Sequence, residues 1–245
     1  MGRLFITGDT HCGSNNDMEK LLPTEFCRDG LTKDDILVIM GDAGFIWSEI
    51  PSKQEKEAIE FMNEAPWTTL CVLGNHENYD VIEKLPTATF GGEECWKVSD
   101  SIYYAMSGKV YDLLGQKCLV VNGADSHDIF IIGPFGERIR YRHPHISWWE
   151  QEQIKERDID TAKANLQKYN NTVDFVFSHT GGLETCKYLG FKPTISDERL
   201  SRALKGVTYK RHYCGHYHKD MNTSGARVIY DDIAMIATSD KETLF

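Results

Sequence analysis

Arg3-Leu4-Phe5-Ile6-Thr7-Gly8-Asp9-Thr10-His11 runs from an apolar stretch into two potential ligands placed two positions apart. The same grammar recurs. Apolar residues 35–40 lead into Gly41-Asp42-Ala43-Gly44, residues 69–73 into Gly74-Asn75-His76-Glu77, and residues 173–177 into Ser178-His179. A fifth cluster, Gly215-His216-Tyr217-His218, follows the strand-like residues 207–214. Runs this short and this apolar suit buried strands. Polar clusters just beyond them fall where open α/β sheets gather their ligands, at the carboxyl ends of strands. In four of the five clusters a glycine (Gly8, Gly41, Gly74 or Gly215) directly precedes the functional group, letting the backbone turn sharply and a ligand approach.

Between these strands the spacing predicts helices over 52–64, entered behind Pro51 and Ser52, and over 147–169, where Trp148, Trp149, Ile154, Ala162, Leu166 and Tyr169 recur at helical intervals. From 102 to 121 the texture changes. Residues 102–106, 109–114 and 117–121, broken at Ser107-Gly108 and Gly115-Gln116, read as antiparallel hairpins. Residues 207–214 and 226–230, joined across 222–225, read likewise, and 233–237 add a further strand. The expected fold is therefore mixed α/β, two sheets packed face to face between helices, in one domain over residues 1–245.

Hydrophobic residues at 41% and charged residues at 26% describe an ordinary globular chain. A net charge of −10 argues against broad nucleic-acid or anionic-membrane binding while leaving room for a local positive site. The seven cysteines (12, 27, 71, 95, 118, 186 and 214) include no Cys-x-x-Cys pair. Scattered thiols of this kind suit a reducing compartment, so a cytoplasmic location is expected. No apolar run approaches the ~20 residues that cross a bilayer, and apolar residues from Leu4 leave no room for a signal peptide.

As chemistry, the five clusters hold oxygen and nitrogen donors and no sulfur. Asp9 and His11 can aim at one ion, Asp42 can bridge two, Asn75 offers a neutral oxygen, and His179, His216 and His218 offer nitrogens. Such a set suits Mn, Fe, Zn, Ni or Co and does not choose among them; two divalent ions are expected, with Mn the first expectation. Asp125-Ser126-His127 and His143-Pro144-His145 repeat the Asp-x-His and His-x-His spacings outside the ordered series. They are read as structural or substrate-facing.

The ordered series Asp-x-His, Gly-Asp, Gly-Asn-His-Glu, His and Gly-His-x-His resembles the calcineurin-like metallophosphoesterase superfamily over residues 8–218. The resemblance implies an α-β-β-α sandwich with a dinuclear centre. Asp9, His11, Asp42 and His218 would hold one metal, and Asp42, Asn75, His179 and His216 the other. His76 would be the catalytic group, a general acid or transition-state donor. Two such ions clamp a phosphoryl oxygen, generate hydroxide near neutral pH for in-line attack and stabilise the departing oxygen. Two departures stand out. Phe45 occupies the place where many relatives carry an aspartate, which in the protein Ser/Thr phosphatase branch partners the catalytic histidine; its absence leaves Glu77 or another carboxylate to substitute, and Cys12 stands where relatives often have glycine.

Residues 134–149 concentrate Arg138, Arg140, Arg142, His143, His145 and aromatic side chains. They read equally as a specificity loop, with Arg140 as the phosphate contact, and as a basic solvated loop. Asn122 and Asp125 are further candidates to line the site. The expected activity is hydrolysis of a phosphorylated small molecule, a nucleotide or a phosphoprotein, as a phosphatase or a phosphodiesterase. A protein Ser/Thr phosphatase-like monoesterase and a non-catalytic metal-binding scaffold are the alternatives.

Overall fold

The first apolar runs form strands because both of their faces are covered. In the computed structural model, which describes residues 2–22 and 30–239, β1 (Arg3–Thr7) sends Leu4 and Ile6 to one side and Phe5 to the other. β2 (Ile36–Ile39) divides in the same way, Val38 joining Leu4 and Ile6 while Leu37 and Ile39 join Phe5. β3 (Thr68–Cys71) continues the pattern through Leu70 and Cys71. β4 (Thr87–Phe90), β5 (Glu93–Lys97) and β6 (Ile102–Ala105) follow.

A second group comprises β7 (Val110–Leu113), β8 (Gln116–Val121), β11 (Phe175–Ser178), β12 (Arg211–Cys214), β13 (Met221–Asn222) and β14 (Arg227–Val228). β9 (Phe130–Ile132) and β10 (Arg138–Arg140) form a separate antiparallel pair, and β15 (Ile233–Thr238) returns beside β1. The two large sheets run β15-β1-β2-β3-β6-β5-β4 and β13-β14-β12-β11-β8-β7. Both are mixed. β1, β2, β3 and β6 are mutually parallel in the first, and β8, β11, β12 and β14 in the second.

Leu4, Ile6, Val38, Leu70, Val120 and Phe177 meet in the layer between the sheets. Each such side chain contributes roughly 1.5–3 kcal/mol through burial. Outside the first sheet lies α1 (Lys53–Glu64), with Ala58 and Met62 against Leu37 and Trp67. Outside the second lie α3 (Glu156–Gln167) and α5 (Ile195–Ala203), packed on Leu119, Val121 and Val176. The short α2 (Tyr79–Ile82) and α4 (Gly182–Leu189) complete the helices used below. The α/β sandwich expected from the sequence is present. Ser52 caps α1 in a capping box with Glu55, where the helix entry was expected.

Three local expectations are corrected. β6 does not hairpin with β7, because β3 and β5 already occupy both of its edges; the chain crosses to the second sheet near Ser107-Gly108, and only β7 and β8 form the hairpin. β12 and β14 are parallel, since the chain turns back first through β13, which supplies the antiparallel partner of β14. The helix expected over 147–169 begins only at Glu156. Trp149 is instead buried edge-on against Trp47, 5.1 Å between ring centroids, and a 3-10 turn at Glu150–Glu152 intervenes. Cys27 lies outside the described residues, and the six described cysteines are unpaired.

His212 sits buried in β12 with Nε2 2.7 Å from Ser178 Oγ, a hydroxyl that also lies within hydrogen-bond reach of the Thr180 carbonyl. Burial drives its pKa from 6.5 down to about 4, against a weaker opposing backbone hydrogen bond with Gly225. The unfolded chain therefore accepts this proton near pH 6.5 while the folded chain resists it. Stability should fall as pH drops through that window, by up to about 3 kcal/mol. Urea titrations of His212→Gln should show a shallower loss between pH 6.5 and 4 than the unsubstituted protein; equal slopes would remove His212 from the acid sensitivity.

Candidate metal centre

Parallel strands place their carboxyl ends on one edge of each sheet, and the loops that leave those ends converge. Asp9 and His11 follow β1, Asp42 follows β2, and Asn75 and His76 follow β3. From the other sheet, His179 follows β11, and His216 and His218 follow β12. His11, Asp42, His216 and His218 have φ of 41°, 50°, 69° and 47°. Left-handed backbone is costly for non-glycine residues and gathers where function requires it. The glycines serve this crowding more than their own turns: a Cβ on Gly74 would strike Asp42 Oδ1, and one on Gly215 would strike Asp9 Oδ1.

Asp42 is the junction. Its Oδ2 lies 3.2 Å from His179 Nε2 and 3.5 Å from His11 Nε2, while Oδ1 accepts the His76 backbone N–H at 2.7 Å. His179 Nε2 is also 3.2 Å from Asn75 Oδ1 and 3.2 Å from His216 Nδ1. Across the site, Asp9 Oδ2 stands 3.0 Å from His218 Nε2, and Oδ1 accepts the His216 N–H at 3.1 Å. Among the described residues three ligand groups overlap: Asp9–His11–His218, His11–Asp42–His76 and Asp9–Asp42–His179. Ligands at right angles around a cation bonded at ~2.1 Å would be about 3.0 Å apart, which matches these facing atoms. Asp9 Oδ2 is buried without a well-aligned hydrogen bond despite the nearby imidazole, as an oxygen aimed at an ion would be. The donor set fits divalent cations.

The electrostatics agree. Burial works to raise the Asp9 and Asp42 pKa values, but the surrounding imidazoles, His179 first, outweigh it and hold both carboxyls below their usual range. Burial would lower His11 and His179; the facing carboxylates win and lift them to about 9 and about 10. His216, buried and beside His179, falls to about 3. Without metal the site thus fills its need for positive charge with protons, and metal entry must displace them.

Several partners lay beyond the sequence reading. Asp17 Oδ2 holds His11 Nδ1 at 2.6 Å, and Asp17 Oδ1 accepts from Tyr230 Oη at 2.6 Å. The Met40 carbonyl holds His179 Nδ1 at 2.8 Å, so Nε2 is left to face the centre. His127, from the second Asp-x-His, places Nε2 3.2 Å from His216 Nε2. Only spacing to His11 pointed to Asp17, and nothing local pointed to the carbonyl.

His76 is clamped between Trp47, stacked at 5.9 Å and 24°, and the edge of His11 at 5.2 Å. Burial lowers its pKa, partly offset by Asp42. Glu77 does not orient the ring: its carboxylate accepts the Gly74 and Gly44 backbone N–H groups, and burial followed by repulsion from Asp42 pushes it up to about 8. Phe45 is buried in the outer core of the first sheet, and burial pushes the Cys12 thiol up to about 11.

The remaining expected site residues are placed differently. Arg140 is exposed on β10, over the Phe130 ring, and donates to the Arg142 carbonyl at 3.3 Å. Arg142, two residues on, is the buried one, with Nη2 2.9 Å from His76 Nε2. Asn122 braces strand ends, accepting from Leu73 N and donating to the Ala105 carbonyl. Asp125 accepts from Gln153 Nε2 and Ser196 N. Two clefts meet at Trp47 and His76. One of about 440 Å³ passes His11 and His218 toward Ser52 and Gln54; the other, about 460 Å³, is walled by Asp128, Tyr141, Arg142 and Ser147.

Since Asp17 fixes the His11 ring from behind, Asp17→Asn should weaken Mn binding by about 10–100-fold, the usual cost of losing such a partner. Isothermal titration calorimetry would measure it. An unchanged dissociation constant would mean that His11 is oriented by other contacts.

No curated protein matches the chain. A family model described as calcineurin-like phosphoesterase matches residues 2–220. The chain therefore belongs to the calcineurin-like phosphoesterase family, metal-dependent hydrolases of phosphoric esters.

Proposed function

We propose that the chain is a dinuclear phosphoesterase in which Asp9, His11, Asp42 and His218 hold one cation and Asp42, Asn75, His179 and His216 hold the other. The observation that carries this reading is Asp42 Oδ2, which faces His11 Nε2 and His179 Nε2 at 3.5 and 3.2 Å from opposite sets. When bound, the cations polarise a phosphoryl oxygen and lower the pKa of nearby water. The protein supplies the rest. Asp9 and Asp42 set the charge of the site, Asp17 and the Met40 carbonyl fix the two ligand imidazoles, and His76 donates to the phosphoryl or departing oxygen. Mn is the proposed ion; the oxygen and nitrogen donor set without thiolate supports it equally with Fe, Zn, Ni and Co.

Ligands drawn from both sheets support a single catalytic domain over residues 1–245. Unpaired cysteines among the described residues support a reducing, cytoplasmic setting. Among those residues no helix is long and apolar enough to cross a membrane. The two clefts meeting at His76 favour a phosphodiester or nucleotide, with one substituent in each, over a monoester that needs a single cleft.

Calorimetry should find two Mn ions per chain, and Asp42→Asn should abolish binding of at least one. The Mn-loaded protein should hydrolyse bis(p-nitrophenyl) phosphate with a higher kcat/KM than p-nitrophenyl phosphate. A single bound ion refutes the dinuclear reading, inertness toward both esters refutes catalysis, and preference for the monoester refutes the two-cleft assignment.

A further inference from the structure

Phe45, three residues past Asp42, is buried, and Glu77, next to His76, spends its carboxylate on backbone N–H groups, so neither side chain orients the His76 ring. Another group has taken the place beside the ring. Arg142 Nη2 lies 2.9 Å from His76 Nε2. The arginine side chain is only 8% exposed and is held at Nε by Asp128 Oδ1 at 2.6 Å. Its Nη1 reaches the Ser147 carbonyl at 3.4 Å. A buried guanidinium tied to a carboxylate at one end and a histidine at the other is a built contact.

The chemistry of this contact has one sense. Guanidinium has donors and no acceptor, so His76 Nε2 must accept and its neutral ring must carry the proton on Nδ1. An aspartate partner would do the reverse, taking the ring's proton as a hydrogen-bond acceptor. We propose that Arg142, anchored by Asp128, is the positioning residue for His76: it fixes the Nδ1–H tautomer and the ring orientation that the reaction uses. This rests on the phosphoesterase reading for its kinetic consequence but not for the tautomer.

The segment carrying Arg142 is seated on the stretch that carries His76. Asp80, four residues past the histidine, accepts from His145 Nδ1 at 2.6 Å and Trp149 Nε1 at 3.1 Å on one oxygen. Gln151 Nε2 reaches the other at 2.9 Å. Arg142 and His76 are therefore registered to each other by two separated contacts, Asp80 to the segment and guanidinium to ring. A surface arginine that touched the histidine by chance would have neither the burial nor the second anchor.

The test uses the full chain, labelled with 15N-histidine and loaded with diamagnetic Zn, with His76 assigned by loss of its signals in His76→Gln. Long-range 1H–15N spectra should show His76 as the Nδ1–H tautomer. In Arg142→Ala the signal should move to the Nε2–H form or to a mixture. On bis(p-nitrophenyl) phosphate, Mn-loaded Arg142→Ala should lose about 10–100-fold in kcat, less than the roughly 10²–10⁴-fold of a full proton-transfer group, because a ring whose Nε2 accepts from guanidinium offers a hydrogen bond from Nδ1 rather than a proton. Its KM should stay within about twofold, since uniform binding is not what is lost. Guanidinium ion added to this variant should restore part of kcat, and Arg142→Lys should retain more activity than Arg142→Ala. Asp128→Asn, which leaves the guanidinium in place, should move the same readouts in the same direction by less, and serves as the deciding variant if Arg142→Ala does not fold. An unshifted His76 tautomer with unchanged kcat in these variants overturns the assignment. Failure of the unsubstituted protein to hydrolyse any ester overturns the phosphoesterase reading instead, while the tautomer measurement still decides the role of Arg142.

Discussion

The Asp42 carboxylate is the constraint around which the other loops are arranged. It is 2% exposed, faces imidazoles contributed by both sheets, and is held from behind by the His76 backbone N–H. Burying a carboxylate costs several kcal/mol unless cations and hydrogen bonds compensate. Here the compensation is spread over strands of both sheets, so those strands must end at one level. The left-handed φ of Asp42 and the missing Cβ of Gly74 both accommodate this carboxylate where imidazoles from the two sheets meet. Fold and site are therefore one problem: the layer between the sheets sets the strand ends, and the strand ends deliver the carboxylates and imidazoles of the candidate centre.

Much of this was legible because two signals coincide in the sequence. An apolar run both faces of which are covered looks different from an exposed strand, and in four places such a run stops at a polar cluster, while the fifth cluster follows the more polar β12. The helix at 53–64 was equally legible, because Ser52 and Glu55 form a local capping box that needs no tertiary information. The division of strands between sheets was not legible. Ile102–Ala105 and Val110–Leu113 have the same texture, and only the occupation of both β6 edges by β3 and β5 sends β7 elsewhere. Asn122 and Asp125 were read as lining the site because polar residues at a strand end look alike. Their hydrogen bonds go to strand and helix ends, a distinction made by partners far away in sequence.

The arginine cluster shows the same limit more sharply. Arg138, Arg140 and Arg142 alternate as strand residues on one face would, and the first two do share a face, over the Phe130 ring. β10 ends at Arg140, however, so the alternation breaks before Arg142. One residue past the rule, the guanidinium turns inward to His76 and Asp128. Spacing could nominate the cluster but not say which of its guanidinium groups is buried. What selects Arg142 is the seat that Asp80 provides for His145, Trp149 and Gln151, a set of contacts spanning about seventy residues of chain.

Charge then separates what the site attracts from what the surface repels. The chain carries −10 overall, whereas the proposed centre sets two dications against two buried carboxylates and leaves local positive charge. At physiological ionic strength these fields decay over about 8 Å. A small phosphate ester entering either cleft moves quickly within range of the centre and out of reach of most surface carboxylates. A long polyanion would keep much of its charge against the acidic exterior while only one phosphate reached the metals. On the proposed reading the two clefts and the acidic surface therefore select in the same direction, toward compact phosphate esters with two substituents rather than polymers.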